Sequence, residues 1–328
     1  MKVLKKKIKL IKNRSDIGAG TRGADMGIDA IEIAAINKGN AYFTQFDYED
    51  VKTHNESIYN MVRNSFAKRI EDVYEQCTRV SKSVKKSLET GYFPIVLSGD
   101  HSSALGTMSG LKAAFPDLDL GVIWIDAHAD LHSPYTSPSG NIHGMPMAAA
   151  LGKDNMDSQI NEVGRPTEKF WNALKNLGRK GVKVLPQHVT YFGVRDTETP
   201  EDELIHRLGI KNYMVSEVRY RGIDVCVNET LEKLSDCAMI YISFDVDSMD
   251  CDMVSYGTGT PVAKGFDPTE IKSIINCIIT SGKVICLEIV EINPLLDLKG
   301  NKMAETAFDV LDDVTNTLLS VLSRRANP

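Results

Sequence analysis

The sequence predicts an α/β protein, a single three-layer α/β/α domain over residues 1–328 with a mainly parallel sheet. Short apolar runs alternate with longer helical stretches along the chain, which is typical of a sheet flanked by helices. The chain contains no internal repeat, no composition break and no linker rich in Pro, Gly or Ser. Its 328 residues are enough for one large domain to bury most of its apolar surface.

The predicted elements follow from two periodicities. Short apolar runs bounded by polar residues indicate buried strands, and apolar residues that recur every three or four positions indicate helices. The first half gives a strand at 7–11, helices at 25–38 and 57–90, a strand at 94–97, a helix at 103–115 and a strand at 120–125. The second half gives a helix at 168–177, a strand at 190–194, helices at 201–208 and 228–234, a strand at 239–244, a helix at 268–280, a strand at 284–289 and a helix at 303–325. A helix therefore separates each strand from the next, as parallel strands require.

Composition excludes several classes of partner. The chain has 38 Lys and Arg against 44 Asp and Glu, a formal charge of −6, which disfavours nucleic acid. No run approaches the roughly 18 apolar residues of a membrane span. The six cysteines form no Cys-x-x-Cys pair, and the first 14 residues contain no secretory apolar core. We therefore expect a cytoplasmic protein with a small-molecule partner.

Acids and histidines follow three of the apolar runs. The runs at 93–97, 122–125 and 241–244 lead into Ser-Gly-Asp-His (98–101), Asp-Ala-His-Ala-Asp (126–130) and Asp-Val-Asp (245–247). The carboxyl ends of parallel strands open into the ligand crevice of such a sheet. The sequence therefore predicts one site built from three strand ends.

This site has the composition of a metal centre. Residues two apart in extended chain share a face, and several half-buried carboxylates repel one another unless cations compensate. The four carboxylates and two imidazoles match two divalent ions, with some carboxylates bridging and water in the remaining positions. A mostly oxygen shell favours Mn²⁺ over structural zinc, although cobalt, nickel, iron and zinc also bind such groups. The predicted ligands are His101, Asp126, His128, Asp130, Asp245 and Asp247. A lone Asp-x-His-x-Asp segment would also fit a helix cap or a solvated loop, but a second acidic cluster after another strand disfavours that interpretation.

At these motifs the sequence resembles the ureohydrolase family, which comprises arginase, agmatinase and relatives that split a guanidino group. The resemblance extends to Ser-Phe-Asp-Val-Asp-Ser-Met-Asp (243–250), Gly-Thr-Gly-Thr-Pro (257–261) and Glu-Ile-Asn-Pro (291–294). It implies an arginase-like fold, two Mn²⁺ per chain and a homo-oligomer, a trimer or hexamer. It also implies hydrolysis of L-arginine to L-ornithine and urea by a metal-bridging hydroxide.

The resemblance also implies a role for each matching residue. One ion would be held by His101, Asp126, Asp130 and Asp245, and the other by Asp126, His128, Asp245 and Asp247. At the guanidinium end, Asp130 would transfer a proton, His143 would shuttle protons, Glu291 would pair with the guanidinium and Thr260 would supply a hydroxyl.

Residues at the other end of the substrate are implied by two further segments. Ser-Gly-Asn (139–141) resembles arginase in particular, which assigns the α-carboxylate to Ser139 and Asn141. The segment at 195–201 assigns the α-amino group to Glu198 and Glu201. His132 stands where arginases commonly have Asn, although its ring can still donate to a carboxylate. Because Glu198 replaces a common Asp and residues 250–256 also depart from the pattern, agmatine and guanidinobutyrate stay open as alternative substrates.

Two other functions are open to the sequence. Residues 18–23 spell Gly-x-Gly-x-x-Gly between a predicted strand and a helix, which is the pattern of a dinucleotide-binding oxidoreductase. A polar stretch at 12–16 separates the strand from the glycines, whereas a phosphate-binding loop begins at the strand end. A non-catalytic binding protein that retains the fold is disfavoured because all six ligand positions are filled.

Overall fold

The strands of the computed structural model, which describes residues 7–326, confirm the predicted α/β class. All strand pairs in the sheet are parallel. The strands are β1 (Ile8–Asn13), β2 (Asp47–Asp50), β3 (Phe93–Ser98), β4 (Leu120–Ile125), β5 (Val189–Phe192), β6 (Lys211–Tyr213), β7 (Met239–Asp245) and β8 (Val284–Val290). They form one eight-stranded sheet in the order β2-β1-β3-β8-β7-β4-β5-β6.

Helices cover both faces of this sheet. In chain order they are α1 (Gly27–Asn37), α2 (Tyr42–Gln45), α3 (Ile70–Glu89), α4 (Ser103–Ala114), α5 (Pro146–Leu151), α6 (Arg165–Lys175), α7 (Thr199–Leu208), α8 (Val215–Arg221), α9 (Ile223–Lys233), α10 (Pro268–Thr280) and α11 (Lys302–Ala326). Among the described residues, no helix is both long enough and apolar enough to cross a membrane.

The alternation of side chains along β4 shows why three layers form. Val122 and Trp124 pack into a core shared with α3, α4, α5 and α6. Ile123 and Ile125 point to the other face, into a core shared with α1, α9, α10 and α11. Because both faces are buried, the central strands read as continuous apolar runs in the sequence, and these runs are what predicted them.

The two strands that sequence analysis missed lie at the edges of the sheet. β2 is Asp-Tyr-Glu-Asp and is mostly exposed, and β6 is a three-residue strand that is only partly buried. An edge strand has one neighbour and an exposed face, so it needs no apolar run.

The predicted helix at 57–90 is wrong over its first third. The helix begins at Ile70, after Arg69 in the left-handed region with φ 54°. Residues Asn55–Tyr59 form a short 3-10 turn instead. The apolar residues that suggested an earlier start are exposed, since Tyr59 is 91% and Met61 85% exposed, whereas the buried face of α3 repeats only from Ile70 onward.

Strand order explains how distant motifs meet. The neighbouring strands β3, β8, β7 and β4 form the centre of the sheet. Their carboxyl ends lead into His101, Glu291, Asp247 and Asp126, so residues almost 200 positions apart in sequence lie side by side.

Candidate metal centre

The imidazole of His101 lies at the centre of three carboxylates. Its Nδ1 atom is 3.0 Å from Asp126 Oδ2, 3.1 Å from Asp130 Oδ2 and 3.1 Å from Asp245 Oδ2. His101, Asp126 and Asp130 are buried and close enough to ligate one ion. The first predicted group of side chains is therefore brought together.

A second group shares Asp126 with the first. His128 Nδ1 lies 3.0 Å from Asp247 Oδ2 and 3.5 Å from Asp126 Oδ1, and these three side chains could also hold one ion. The two oxygens of Asp126 thus face different groups, which is the arrangement that a bridging carboxylate needs.

Neighbouring side chains fix the orientation of these potential ligands. His101 Nε2 lies 2.7 Å from Ser243 Oγ, so the opposite nitrogen faces the carboxylates. The imidazole stacks on the indole of Trp124, with ring centroids 4.1 Å apart and planes 9° from parallel. The same indole donates from Nε1 to Asp126 Oδ2 at 2.8 Å. Outer contacts of this kind orient metal ligands and tune their basicity.

Backbone amides hold the other oxygens of the carboxylates. His128 N donates to Asp126 Oδ1 at 2.7 Å, Asp247 N donates to Asp245 Oδ1 at 2.9 Å, and Ala127 N donates to Asp247 Oδ1 at 3.2 Å. For Asp245 and Asp247, this leaves Oδ2 directed toward the imidazoles.

The close packing of these acids shifts their pKa values. Burial and the Asp126 carboxylate raise the pKa of Asp130 to about 7. Burial and the carboxylates of Asp247 and Asp126 raise the pKa of Asp245 well above its ordinary value. Burial alone would also raise the pKa of Asp126, but its contacts with the two imidazoles outweigh burial and lower it. Without further positive charge, the cluster therefore retains protons near neutral pH.

The donor set fits divalent cations. His101 Nδ1 and Asp130 Oδ2 are buried and only 3.1 Å apart, but neither forms a hydrogen bond of acceptable geometry within the part of the chain that the structure describes. Buried polar atoms without partners are rare in folded proteins and call for a missing partner such as an ion. Two imidazole nitrogens and four carboxylates supply ligands for a pair of ions.

A cavity of about 250 Å³ opens over this cluster. All the residues predicted for the guanidinium end reach it, as do four of the five predicted to bind the rest of the substrate. Its lining includes His101, His128, Asp130, His132, Ser139, His143, Glu198, Glu201, Asp245, Asp247, Thr260 and Glu291.

His143 and Glu291 form a buried pair beside the metal ligands. His143 Nδ1 lies 3.0 Å from Glu291 Oε1, which also accepts a hydrogen bond from His101 N at 2.8 Å. Burial disfavours the imidazolium, but the Glu291 carboxylate outweighs it and raises the pKa of His143 to about 9. His143 is therefore cationic at neutral pH, while Glu291 retains Oε2 for another partner.

Glu198 and Glu201, the two acids at the far end of the cavity, differ in burial and in their hydrogen-bond partners. Glu201 is buried and accepts from Leu131 N at 3.0 Å and from Glu198 N at 3.2 Å, so it stabilises the first turn of α7 as part of a capping box with Glu198. Glu198 is half-exposed, and its Oε2 lies 2.8 Å from His132 Nε2. The other nitrogen of His132 lies 3.2 Å from Thr136 Oγ1. His132 is therefore engaged with protein groups on both sides.

Ser139 and Asn141 are separated by the fold of their loop. Ser139 is exposed at the cavity, and its Oγ accepts from Asn141 N at 3.2 Å. Asn141 does not line the cavity, because its side chain turns toward Lys68, whose Nζ donates to Asn141 Oδ1 at 3.2 Å. Only one member of the predicted pair faces the space where a substrate would lie.

Sequence analysis missed Asp196 and Thr197, which also line the cavity. Asp196 Oδ2 lies 3.4 Å from His128 Nε2, on the side away from the metal-facing nitrogen. The available signal was its place in the same acidic segment as Glu198. The neighbouring Arg195 fastens this loop by donating to the carbonyls of Gly193, Val262 and Ala263.

The glycines at 18–23 have a packing role, which argues against the dinucleotide-binding alternative. A Cβ on Gly18 would lie 2.6 Å from Ser102 Oγ, and one on Gly20 would lie 2.5 Å from Asn141 Nδ2. The loop thus packs directly on the segments that surround the cavity. Its glycines permit this close approach, so packing accounts for the pattern without a bound dinucleotide.

The family model described as the arginase family matches residues 6–316. The chain belongs to the arginase family. Arginase from Bacillus subtilis (strain 168) is 34% identical over 311 residues, which cover 94% of this chain and 97% of that protein. The resemblance at the motifs is thereby confirmed, and with it the assignment of the chain as an enzyme, an arginase-family hydrolase.

Solved structures agree with this assignment. Arginase from Bacillus caldovelox superposes with a TM-score of 0.80 at 32% identity, covering 96% of this chain and 98% of that one. Formimidoylglutamase from Bacillus subtilis shares the fold, with a TM-score of 0.72 at 18% identity over 96% of this chain and 87% of that one. Arginase-family enzymes depend on metal and act on a small guanidino substrate, and the two His and Asp groups are side chains that metal ions could occupy.

Loss of either carboxylate predicted to bridge the two ions should remove metal and activity together. We expect Asp126→Ala and Asp245→Ala to abolish tight metal binding, because each leaves a buried imidazole and the remaining acids without their shared partner. Metal content by plasma emission spectrometry and urea release measure the two effects. Asp250→Ala is the matched control, since Asp250 lies in the same motif as Asp245 but outside both groups of potential metal ligands. Two metals per chain and near-normal turnover in Asp126→Ala would contradict the shared role.

Metal binding should release protons. Because ligands must be deprotonated and the pKa of Asp130 is raised to about 7, we expect Mn²⁺ affinity to fall as pH decreases below neutrality. Proton release on Mn²⁺ addition to metal-free protein in weak buffer measures this directly. Equal affinity on both sides of neutral pH would show that the cluster is not the binding site.

Proposed function

We propose that this chain hydrolyses L-arginine to L-ornithine and urea at a binuclear manganese site. The observation that carries the proposal is the sharing of Asp126 between two His and Asp groups at the floor of a cavity lined with acids. A cationic guanidinium is attracted to such a cavity, and the arginase relatives supply the reaction. We further propose that the whole chain forms one catalytic domain and works as a cytoplasmic homo-oligomer, a trimer or hexamer.

The ligands proposed for the ions follow the two groups. His101, Asp126, Asp130 and Asp245 would hold one Mn²⁺, and Asp126, His128, Asp245 and Asp247 the other. When bound, the two ions supply positive charge that acidifies water at neutral pH. The described residues would do the remaining work of binding, orientation and proton transfer.

The guanidinium end of the substrate meets Glu291 and Thr260. Glu291 Oε1 accepts from the His101 amide and faces His143, so its Oε2 is left to accept from the guanidinium. Thr260 Oγ1 donates to Asp247 Oδ2 at 3.0 Å, which holds the hydroxyl at the rim of the cluster. A carboxylate and a guanidinium make strong, directional hydrogen bonds, and this fixes the carbon over the metal ligands.

Proton transfer falls to Asp130 and His143. Asp130 Oδ2 lies among the proposed ligands, 3.1 Å from His101 Nδ1, so its carboxylate would take a proton from the attacking water and pass it to the departing amine. His143 lines the cavity and has a raised pKa, so it would shuttle protons between the cavity and the solvent. The Glu291 carboxylate that raises its pKa also favours the return of its proton between turnovers.

The amino-acid end of the substrate meets a mixed set of groups. The half-exposed Glu198 carboxylate would accept from an α-ammonium, and the exposed Ser139 hydroxyl would donate to an α-carboxylate. Glu201 acts by holding the start of α7, and His132 acts by holding Glu198.

A second candidate is hydrolysis of agmatine or guanidinobutyrate. One observation, the position of Asn141 outside the cavity, favours agmatine, because it leaves fewer donors for the carboxylate that arginine and guanidinobutyrate both carry at this end. Urea release with Mn²⁺ from L-arginine, agmatine and guanidinobutyrate separates the candidates. The substrate with the highest kcat/KM identifies the activity, and absence of urea from all three would refute the proposed function.

We expect a preference for L-arginine over agmatine that depends on Ser139. A hydroxyl left without its carboxylate partner costs about 1–3 kcal/mol in a partly closed site, which is roughly 5- to 150-fold in kcat/KM. Ser139→Ala should therefore reduce the ratio of the two kcat/KM values, and an unchanged ratio would remove Ser139 from the explanation.

The comparison for this variant is Ser137→Ala, at a buried serine of the same loop that lies outside the cavity lining. Ser137 Oγ accepts from Gly140 N at 2.9 Å, so its loss perturbs the loop without removing a hydroxyl from the cavity. We expect Ser137→Ala to leave the preference largely intact. An equal change of the ratio in both variants would assign the effect to the shape of the loop instead of the Ser139 hydroxyl.

His143→Ala should lower turnover without removing metal. General acid–base groups contribute about 10²–10⁴-fold, and His143 lies outside both groups of ligands. Steady-state kcat and metal content are measured on the same preparation. Loss of metal from this variant would make His143 a ligand instead of a proton donor.

A further inference from the structure

A second cavity lies at the opposite end of the strands from the metal cluster, where β4 and β5 begin. Its volume is about 170 Å³, and charged or titratable side chains form much of its lining. They come from the end of α4, the loop after α6 and the turns before the two strands. These side chains are Lys112, Asp119, Arg179, Lys183 and His188.

Two of these cations are buried. Lys112 and Lys183 are each only 2% exposed. Lys112 Nζ donates to Leu118 O at 2.5 Å, and Lys183 Nζ donates to Leu174 O at 3.2 Å and to Lys175 O at 2.7 Å. Within residues 7–326, neither ammonium has a carboxylate oxygen within 4.0 Å. Burying a charge without an opposite charge is costly. The two buried ammonium groups therefore lack a paired negative charge.

The other charged groups around the cavity do not supply enough negative charge to balance the two buried ammonium groups. Arg179 adds a third cation, and Asp119 is the one carboxylate among the lining residues. Burial and the neighbouring Arg179 guanidinium lower the pKa of Lys112. Burial also lowers the pKa of Lys183 to about 7. The carboxylates of Asp119 and Asp117 oppose the shift at Lys112 without reversing it, so the described neighbours compensate this ammonium only in part.

Hydrogen bonding to carbonyls explains only part of this arrangement. Lys183 reaches carbonyls at the end of α6, which is a usual position for a cation near a helix C-terminus. An ammonium has three donors, so among the described residues one N–H of Lys183 and two of Lys112 have no such partner. Capping also gives no reason for Arg179 and His188 to gather around an open volume.

We propose that this cavity binds a small tetrahedral oxyanion such as inorganic phosphate. At roughly 30 Å³ per water, the cavity has room for about six waters, enough for one such ion with some hydration. The buried ammonium groups would donate from the inner wall and the exposed Arg179 guanidinium from the mouth. The site is separate from the metal cluster, since the two lie at opposite ends of β4.

Calorimetric titration of the manganese-loaded enzyme with inorganic phosphate tests the proposal, with ionic strength matched by chloride. We expect binding that weakens at least tenfold in Arg179→Gln and in Lys183→Met. Arg179 is exposed, so its variant reports on binding even if Lys183→Met fails to fold. Lys180→Gln is the matched control, because it removes one exposed positive charge from the neighbouring position, outside the cavity lining, and should leave affinity unchanged.

Each other result would overturn the proposal. Absence of phosphate binding would leave the lysines as helix and loop caps. Equal phosphate affinity in the wild-type enzyme, in Arg179→Gln and in folded Lys183→Met would show that the ion binds elsewhere, for example at the metal cluster. Equal loss of phosphate affinity in Arg179→Gln and Lys180→Gln would show that general surface charge, and not this cavity, causes the effect.

Discussion

Mutual repulsion among four carboxylates buried at the ends of the central strands is the constraint on which the rest of the site depends. The sheet order brings these acids together because β4 and β7 are neighbours. Nearby groups then limit the cost: two imidazoles, the Trp124 indole and three backbone amides all direct positive charge or N–H groups at carboxylate oxygens. Since the raised pKa values of Asp130 and Asp245 persist, this protein scaffold alone does not supply enough positive charge.

The backbone around the cluster is held in unfavourable conformations. Asp130 has φ 52° and Glu291 has φ 68°, in the left-handed region that costs non-glycine residues roughly 1–3 kcal/mol. Backbone hydrogen bonds stabilise both positions: Met147 N donates to Asp130 O at 3.1 Å, and Glu291 N donates to Gly99 O at 2.7 Å. The two conformations turn an acid from the end of its strand into the cavity. Packing elsewhere in the domain therefore supplies the energy that positions the two acids.

The parts predictable from sequence are those governed by short-range rules. Central strands are buried on both faces and appear as apolar runs, and these runs locate the strand ends that carry Asp126 and Asp245. The side-chain alternation expected of extended chain does not hold at 126–130, because β4 ends at Ile125, the chain bends, and Asp130 adopts a left-handed conformation. Edge strands such as β2 have no such signal. The position of Asn141 depends on its contact with Lys68, a residue 73 positions away, so no local pattern reveals it. The capping role of Glu201 likewise depends on the Leu131 amide, which is brought close only by the fold.

Helix α4 links the two ends of the sheet where charge is unbalanced. It begins just after His101 and carries Lys112 in its last turn. Its positive N-terminus therefore lies near the acidic cluster, and its negative C-terminus lies near the buried lysine. A helix dipole stabilises such charges by about 0.3–1 kcal/mol, rising to about 2 kcal/mol in partly buried positions. Burying an ion costs several kcal/mol even after the protein relaxes. The dipole thus has the correct sign at both ends but is too weak at either end to compensate the buried charge by itself.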